Sequence, residues 1–255
     1  MAMNLPTVTF ETKCYEKDWE ILLKTNRLEE MIARNRYDFT EKLLYINNVD
    51  DPDKVVGYAE RLKQRGVISD YIMVDDYANE ALLYFGLDRE SFRGGYYYSI
   101  QELVGIYRCR TDYLLHFSGD SILDGAFSWL DRAIDLLGRD SRIKVVNCIW
   151  NRKVHEAECE SIGQDKDFWI GYGFSDQCYL VKRSDFNQRI YHNCNPVSER
   201  YPHYGGELFE KRVDAWMRNN NYLRGTYKHG SYVSKNFPRT RLVRTVGRLL
   251  GVYDR

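Results

Sequence analysis

The residues best suited to chemistry gather in Thr111-Asp112-Tyr113-Leu114-Leu115-His116-Phe117-Ser118-Gly119-Asp120-Ser121. There an apolar run, Tyr113 to Phe117, breaks off into Ser-Gly-Asp-Ser. The run has the length of a buried strand, and the break puts the Asp120 carboxylate on the turn at its end. In an open α/β sheet ligands gather at the carboxyl ends of strands, so a carboxylate there is placed to act on one. The same Asp also suits a plain turn or a helix N-cap, and the stretch alone favours neither reading. Three other strand ends carry comparable groups: Thr9 and Glu11, then Asn47 and Asn48, then Asp75 and Asp76. Each taken singly is an ordinary turn former. Three in succession on one edge favour a cleft suited to a nucleotide.

These residues need elements to hold them. Thr7 to Phe10 reads as a first strand closed by Glu11-Thr12-Lys13. A helix from Trp19 to Asn35 follows, with Trp19, Leu22, Leu23, Leu28, Met31 and Ile32 on one face. Lys42 to Ile46 is a second strand, Pro52 to Gly66 a second helix, and Asp70 to Val74 a third strand. That alternation is the pattern of a parallel sheet with right-handed crossovers. Ala78 to Asp88 reads as a short helix, Arg93 to Tyr98 as an aromatic loop, and Ser99 as the N-cap of a helix from Ile100 to Cys109. Beyond the opening strand, a helix spans Ala126 to Leu137 and a strand Ile143 to Trp150. Lys166 to Phe186 suggests paired strands, Tyr191 to Gly206 a long irregular stretch, and Glu207 to Asn219 a helix. The tail, Pro238 to Arg255, sets Leu242, Val246 and Leu249 among Arg239, Arg241, Arg244 and Arg248.

The totals exclude several classes. The 255 residues suit one large domain, and 37 basic against 37 acidic side chains give no reason to expect a nucleic-acid partner. The 21 Tyr, 11 Phe and 5 Trp suit flat, partly polar ligands, though many of these rings belong in the core. Six scattered Cys without a CxxC pair argue against a structural zinc and for a reducing, cytoplasmic setting. No apolar run is long enough to span a membrane, and no GxGxxG or GxxxxGK[ST] occurs.

The chain from Thr7 to about Lys235 resembles glycosyltransferases of the GT-A fold, especially family-2-like enzymes of bacterial and viral polysaccharide synthesis. The residues carrying the resemblance are Val8-Thr9-Phe10 with Glu11-Thr12, the strand ending in Asn47-Asn48-Val49, the Gly95-Tyr96-Tyr97-Tyr98-Ser99 loop, and Asp112 to Asp120. It implies a Rossmann-like mixed α/β sheet flanked by helices, with a nucleotide-sugar-binding half (1–125), an acceptor-binding and catalytic half (126–237) and a basic amphipathic tail (238–255). It further implies a donor site of Thr9, Glu11, Asn47, Asp76, Tyr98, Gln101, Ser118, Gly119 and Asp120. The family's Asp-x-Asp metal motif keeps only Asp120 here, because Ser118 replaces the first Asp. Mn²⁺ or Mg²⁺ on Asp120 and His229 is the implied cofactor, since such ions take further ligands from phosphate and water. A metal-free site would instead use Lys228, Lys235 and Arg224 against the diphosphate, and His203 is the alternative histidine.

For an inverting transfer the resemblance points to Glu207, in Gly205-Gly206-Glu207, as the base, followed by Asp176 and Glu210. The expected reaction moves a sugar from a nucleotide-sugar donor to a glycan or lipid-linked acceptor. The tail is expected to touch the inner face of the cytoplasmic membrane, or else to pack on the body. The rival readings are a sugar nucleotidyltransferase, which lacks its glycine-rich loop in Glu11-Thr12-Lys13-Cys14, and a non-catalytic carbohydrate- or nucleotide-binding protein.

Overall fold

The computed structural model describes residues 5–201, 205–234, 236–238 and 240–253. Its first half alternates as the hydrophobic pattern requires. Val8–Cys14 (β1) leads through Trp19–Lys24 (α1) and Arg27–Ala33 (α2) to Glu41–Ile46 (β2). Pro52–Gln64 (α3) then leads to Asp70–Met73 (β3), Val74–Phe85 (α4), Tyr96–Arg108 (α5) and Tyr113–Phe117 (β4). The helix expected over Trp19 to Asn35 is in fact two. Thr25 bonds back to the Ile21 carbonyl at 2.6 Å and accepts from the Arg27 amide at 3.1 Å, so a side-chain hydroxyl replaces the helical ladder at the break. Nor does Ser99 cap α5. It is buried three residues inside that helix, its Oγ accepting the Phe209 amide at 2.9 Å. The expected aromatic loop instead supplies the first turn, with the Arg89 guanidinium over Tyr96 and Tyr97.

The second half adds Ser121–Leu123 (β5), Leu130–Arg139 (α6), Ile143–Trp150 (β6), Val154–Cys159 (α7), Ser161–Gln164 (β7) and Phe168–Gly171 (β8). It continues with Cys178–Lys182 (β9), Arg183–Phe186 (α8), Phe209–Asn219 (α9), Leu223–Ser234 (β10) and Arg241–Leu249 (α10). Among the described residues the strands form one sheet of ten in the order β3-β2-β1-β4-β9-β6-β10-β8-β7, with β5 paired to β10. Strands β1 to β4 run parallel, and β9 enters antiparallel between β4 and β6, which makes the sheet mixed. Strand β10 escaped the sequence reading, being interrupted by Gly225 and Gly230 and bulged between Tyr227 and Ser231.

Side chains alternate across this sheet and build two cores. Phe10, Cys14, Leu115 and Phe117 join Trp19, Leu28, Val55 and Leu136 on one face. Leu114, Tyr179 and Val181 join Ala81, Leu103 and Val213 on the other, beneath α4, α5 and α9. Successive odd residues of β1 (Thr9, Glu11, Lys13) therefore project under α5 rather than into solvent. Gly105 of α5 sits directly over the Glu11 carboxylate, which leaves no room for a Cβ. Gly105→Ala is accordingly expected to cost about 1–3 kcal/mol through overpacking. Gly57→Ala in α3, with nothing within 4 Å of the new methyl, is expected to gain about 0.5–1 kcal/mol. Urea unfolding of both variants measures the difference, and equal stabilities would contradict this packing.

Candidate active site

Strand β1 runs on to Cys14, four residues past the expected end at Phe10. That shift changes which side chains stand at the edge. Thr9 is fully buried, bonded to Thr111 at 2.8 Å and to Glu41 at 3.1 Å. Glu11 is equally buried, its Oε1 2.9 Å from His116 Nδ1. Neither reaches a cleft, because both lie inside the strand rather than in its terminal turn. Burial, then the nearby Glu102, pushes the Glu11 carboxyl well up. Burial, then Lys13, pulls the His116 imidazole well down, so burial shifts each of the two towards its uncharged form. Gln101 lies in the same interior, fully buried on α5, not at a ligand surface. Asp76 is an exposed residue in the first turn of α4, lining a different cavity with Glu41, Asp70, Arg108 and Arg110.

The true edge is made by the ends of β1, β2 and β4 and the start of α5. Asn47 follows β2, and its amide donates to the Tyr97 carbonyl at 3.2 Å, leaving Oδ1 without a hydrogen-bond partner among the described residues. Tyr15 follows β1, partly exposed. Burial first, then Asp18, Asp120 and Tyr98, raises its hydroxyl, while Arg244 of α10 opposes them. Ser118, at the end of β4, donates to Asp120 Oδ1 at 2.9 Å and shares a 2.7 Å bond with Ser121, which fixes the Asp120 rotamer. Gly119 is required by close approach: a Cβ would lie 2.8 Å from both Asp18 Oδ2 and the Lys13 carbonyl. Arg27 of α2 donates to the Asp120 carbonyl at 3.2 Å, and burial lowers its pKa to about 10.

Asp18 lies beside Asp120 on the inner side of this turn. It accepts the Tyr15 amide at 2.7 Å, and burial first, with Asp120 adding to it, holds its carboxyl well above the usual range. Two neighbouring carboxylates are hard oxygen donors suited to Mg²⁺ or Mn²⁺. Among the described residues no three His, Cys, Asp or Glu side chains converge to hold a metal alone. The donor set therefore fits a cation that draws its other ligands from a diphosphate and water. His229 is not part of it: its Nε2 lies 3.2 Å from Asp167, beside Tyr227, because the bulge in β10 turns it to the exposed edge. Lys228 likewise bonds Gln164 and the Asp165 carbonyl, while Lys235 and His203 lie outside the described residues.

Below the edge, one cation balances a group of carboxylates. Lys13 is ion-paired with the fully buried Glu102. Burial works against the Lys13 charge, but Glu102, Asp176 and Asp18 outweigh it and leave the ammonium raised. The same ammonium also lowers Glu11 and Glu210. Burial still dominates at Asp176, raised to about 6, and at Glu210, raised to about 9, each further raised by neighbouring carboxylates. The two carboxyls titrate as one unit, and of the pair Glu210 is the more strongly raised.

Glu210 opens into a cavity of about 440 Å³ with Trp150, Ser175, Gln177, Arg200 and Arg224 on its walls. The Gln177 carbonyl accepts the Ser118 amide at 2.9 Å, which sets the cavity next to the Asp120 turn. Glu207 lies elsewhere. Its carboxylate is 3.1 Å from Lys211 and 3.8 Å from Arg93, an i,i+4 pair at the head of α9. The structure thus brings Asn47, Tyr98, Ser118, Gly119, Asp120 and Asp176 to one region. It leaves Thr9, Glu11, Gln101, Asp76, Glu207 and His229 out. Sequence reading missed Lys13, Tyr15, Asp18 and Arg27. The one available signal was weak: Cys14 resumes the apolar spacing of Val8 and Phe10, but polar Thr12 interrupts it.

No protein-family model and no curated protein sequence matches the chain. Solved structures do. GalNAc-T7, crystallised with UDP, GalNAc and Mn²⁺, aligns with 92% of this chain and 45% of its own at a TM-score of 0.55 and 8% identity. A mycobacterial protein aligns with 98% of this chain and 71% of its own at 0.51 and 12% identity. Glucosyl-3-phosphoglycerate synthase from Mycobacterium tuberculosis, with Mn²⁺, UDP and phosphoglyceric acid, aligns with 98% and 78% at 0.48 and 13% identity. The fold is that of the GT-A glycosyltransferases, a mixed sheet flanked by helices, as the sequence led us to expect.

The proton on Glu210 makes a pH prediction. An unfolded glutamate titrates near 4.3, and the folded group only near about 9. The folded state is therefore favoured by the bound proton, fully so below the unfolded value, and loses that contribution as pH rises between the two. Glu210→Gln is therefore expected to lose less melting temperature than the parent as pH rises from 5 to 9. Melting curves at the two ends measure it, and parallel losses would contradict the assignment.

Proposed function

We propose that the chain is a glycosyltransferase that moves a sugar from a nucleotide-sugar donor to a hydroxyl of a glycan or lipid-linked acceptor, with inversion. One observation carries the reading: Tyr15, Asp18, Asn47 and Asp120 follow the carboxyl ends of the parallel strands β1, β2 and β4, and the Asp176–Glu210 pair adjoins them, Asp176 just ahead of the antiparallel β9 and Glu210 in the first turn of α9. Ligands bind at that edge in open α/β sheets. Residues 1–125 form the donor half in this reading and 126–237 the acceptor half. The family-2-like kinship and a role in polysaccharide synthesis on the cytoplasmic side belong to the same proposal.

In this scheme Tyr15 and Tyr98 flank the base, and Asn47 Oδ1, which has no hydrogen-bond partner among the described residues, accepts from its imide or amine edge. Asp120, oriented by Ser118, would together with Asp18 hold a divalent cation, whose charge would offset that of the diphosphate. Arg27 and Arg244 add positive charge on the same side. The acceptor occupies the cavity beside Trp150, and its hydroxyl oxygen attacks the anomeric carbon opposite the diphosphate. A C–O bond forms, the bond to the diphosphate oxygen breaks with its electron pair, and the hydroxyl proton passes to Asp176. That group is ionised at neutral pH, with a pKa near 6, and a base tuned close to operating pH is effective. Glu207 is not the base here, since Lys211 and Arg93 already engage it.

Calorimetry with UDP, GDP and dTDP, with and without Mn²⁺, tests the donor site. One nucleotide is expected to bind at least tenfold tighter with Mn²⁺. Asp120→Asn is expected to remove most of that gain, about 1.4 kcal/mol or more, while keeping the parent melting temperature. No binding of any nucleotide would overturn the reading in favour of the carbohydrate-binding alternative.

A further inference from the structure

Helix α10 is oriented against the usual sense of an amphipathic surface helix. Its cations turn inward. Arg244 is only 8% exposed and donates to the Pro238 carbonyl at 3.0 Å, and Arg248 lies 3.3 Å from Glu20 of α1. Its apolar side chains turn outward: Leu242 is 72% exposed, Leu249 77% and Leu250 72%, with Val243 and Val246 between them. Such a patch on a water-facing helix marks an interaction site.

The neighbouring surface identifies the partner. Arg248 also lines a cavity of about 440 Å³ between α1, α3 and α10, whose other charged walls are Lys24, Arg61 and Arg65. Four cations face two carboxylates there. Glu20 engages Lys24 at 2.7 Å and Arg248, Glu29 engages Arg65, and Arg61 stacks on Tyr58. Two positive charges are left in excess beside a row of exposed Leu and Val. A second copy of the chain is disfavoured, because a two-fold contact would bring two grooves with the same excess of positive charge into one interface with no carboxylate surplus to meet them. An anionic lipid surface satisfies both parts at once.

We propose that α10 lies in the headgroup region of an anionic bilayer, with Leu242, Val243, Val246, Leu249 and Leu250 among the acyl chains and a lipid phosphate in the Lys24–Arg61–Arg65–Arg248 groove. No helix among the described residues is long and apolar enough to cross a membrane, so the contact is peripheral. The surface is independent of the sugar-transfer reading and stands or falls separately.

Flotation of the full chain with vesicles of phosphatidylcholine alone, or mixed with phosphatidylglycerol, tests it. The parent is expected to float with the mixed vesicles and not with the neutral ones. L242S/L249S and R61Q/R65Q are each expected to lower the bound fraction at least tenfold while keeping the parent's melting temperature. The R61Q/R65Q pair, changed only on α3 and the residue that follows it, keeps the test valid should the other variant loosen the tail. Absence of flotation, equal flotation with both vesicle types, or a solution dimer that L242S/L249S dissociates would each overturn the proposal.

Discussion

The buried ion pair between Lys13 and Glu102 ties the end of the first strand to helix α5, and the rest of the site depends on it. Glu102 is fully buried, and a carboxylate in that position persists only with a cation against it. Lys13 is that cation, and it also acts on Glu11, Asp18, Asp176 and Glu210. One positive charge cannot ionise all of them. The groups therefore divide: Glu102 is ion-paired with Lys13, burial pushes Glu11 well up and Glu210 to about 9, and Asp176 is raised only to about 6. A region that would otherwise repel itself becomes a graded set of acids and bases next to the Asp120 turn.

In the proposed reaction the same arrangement lets a metal motif that has lost its first Asp serve. Ser118 in place of the first Asp removes a charge but adds a donor that fixes Asp120. A second carboxylate, Asp18, stands on the other side of Gly119, contributed by the loop after β1 rather than by β4. A motif read along one segment cannot reveal a partner about a hundred residues away in the chain, which only the parallel pairing of β1 with β4 brings near.

The architecture was legible in sequence where periodicity was strong. Strand β4 and strand β6 fall on the residues that the apolar runs indicate, and α3 and α9 lie within two residues of their expected bounds. The strand β10 was not legible, since its glycines and bulge erase alternation. Of the candidate site residues, Asn47, Ser118-Gly119-Asp120 and Asp176, which sit at strand ends or turns, come together at one edge of the sheet. Sequence reading failed at Thr9 and Glu11, where ending the strand at Phe10 turned buried positions into apparent ligand contacts. It failed again at Glu207, where a glycine pair suggested ligand approach, whereas Gly206 adopts a positive φ of 66° and packs against the Phe92 and Arg93 carbonyls.

The central claim is that Asp120 and the Asp176–Glu210 pair serve one reaction. Nucleoside diphosphate release from a panel of UDP-, GDP- and dTDP-sugars, followed in the parent, in Asp120→Asn and in Asp176→Asn, tests it most directly. The account predicts release from one donor by the parent, with each substitution lowering the rate at least about a hundredfold, the usual contribution of a positioned acid or base. Undiminished release by Asp120→Asn or by Asp176→Asn would contradict it.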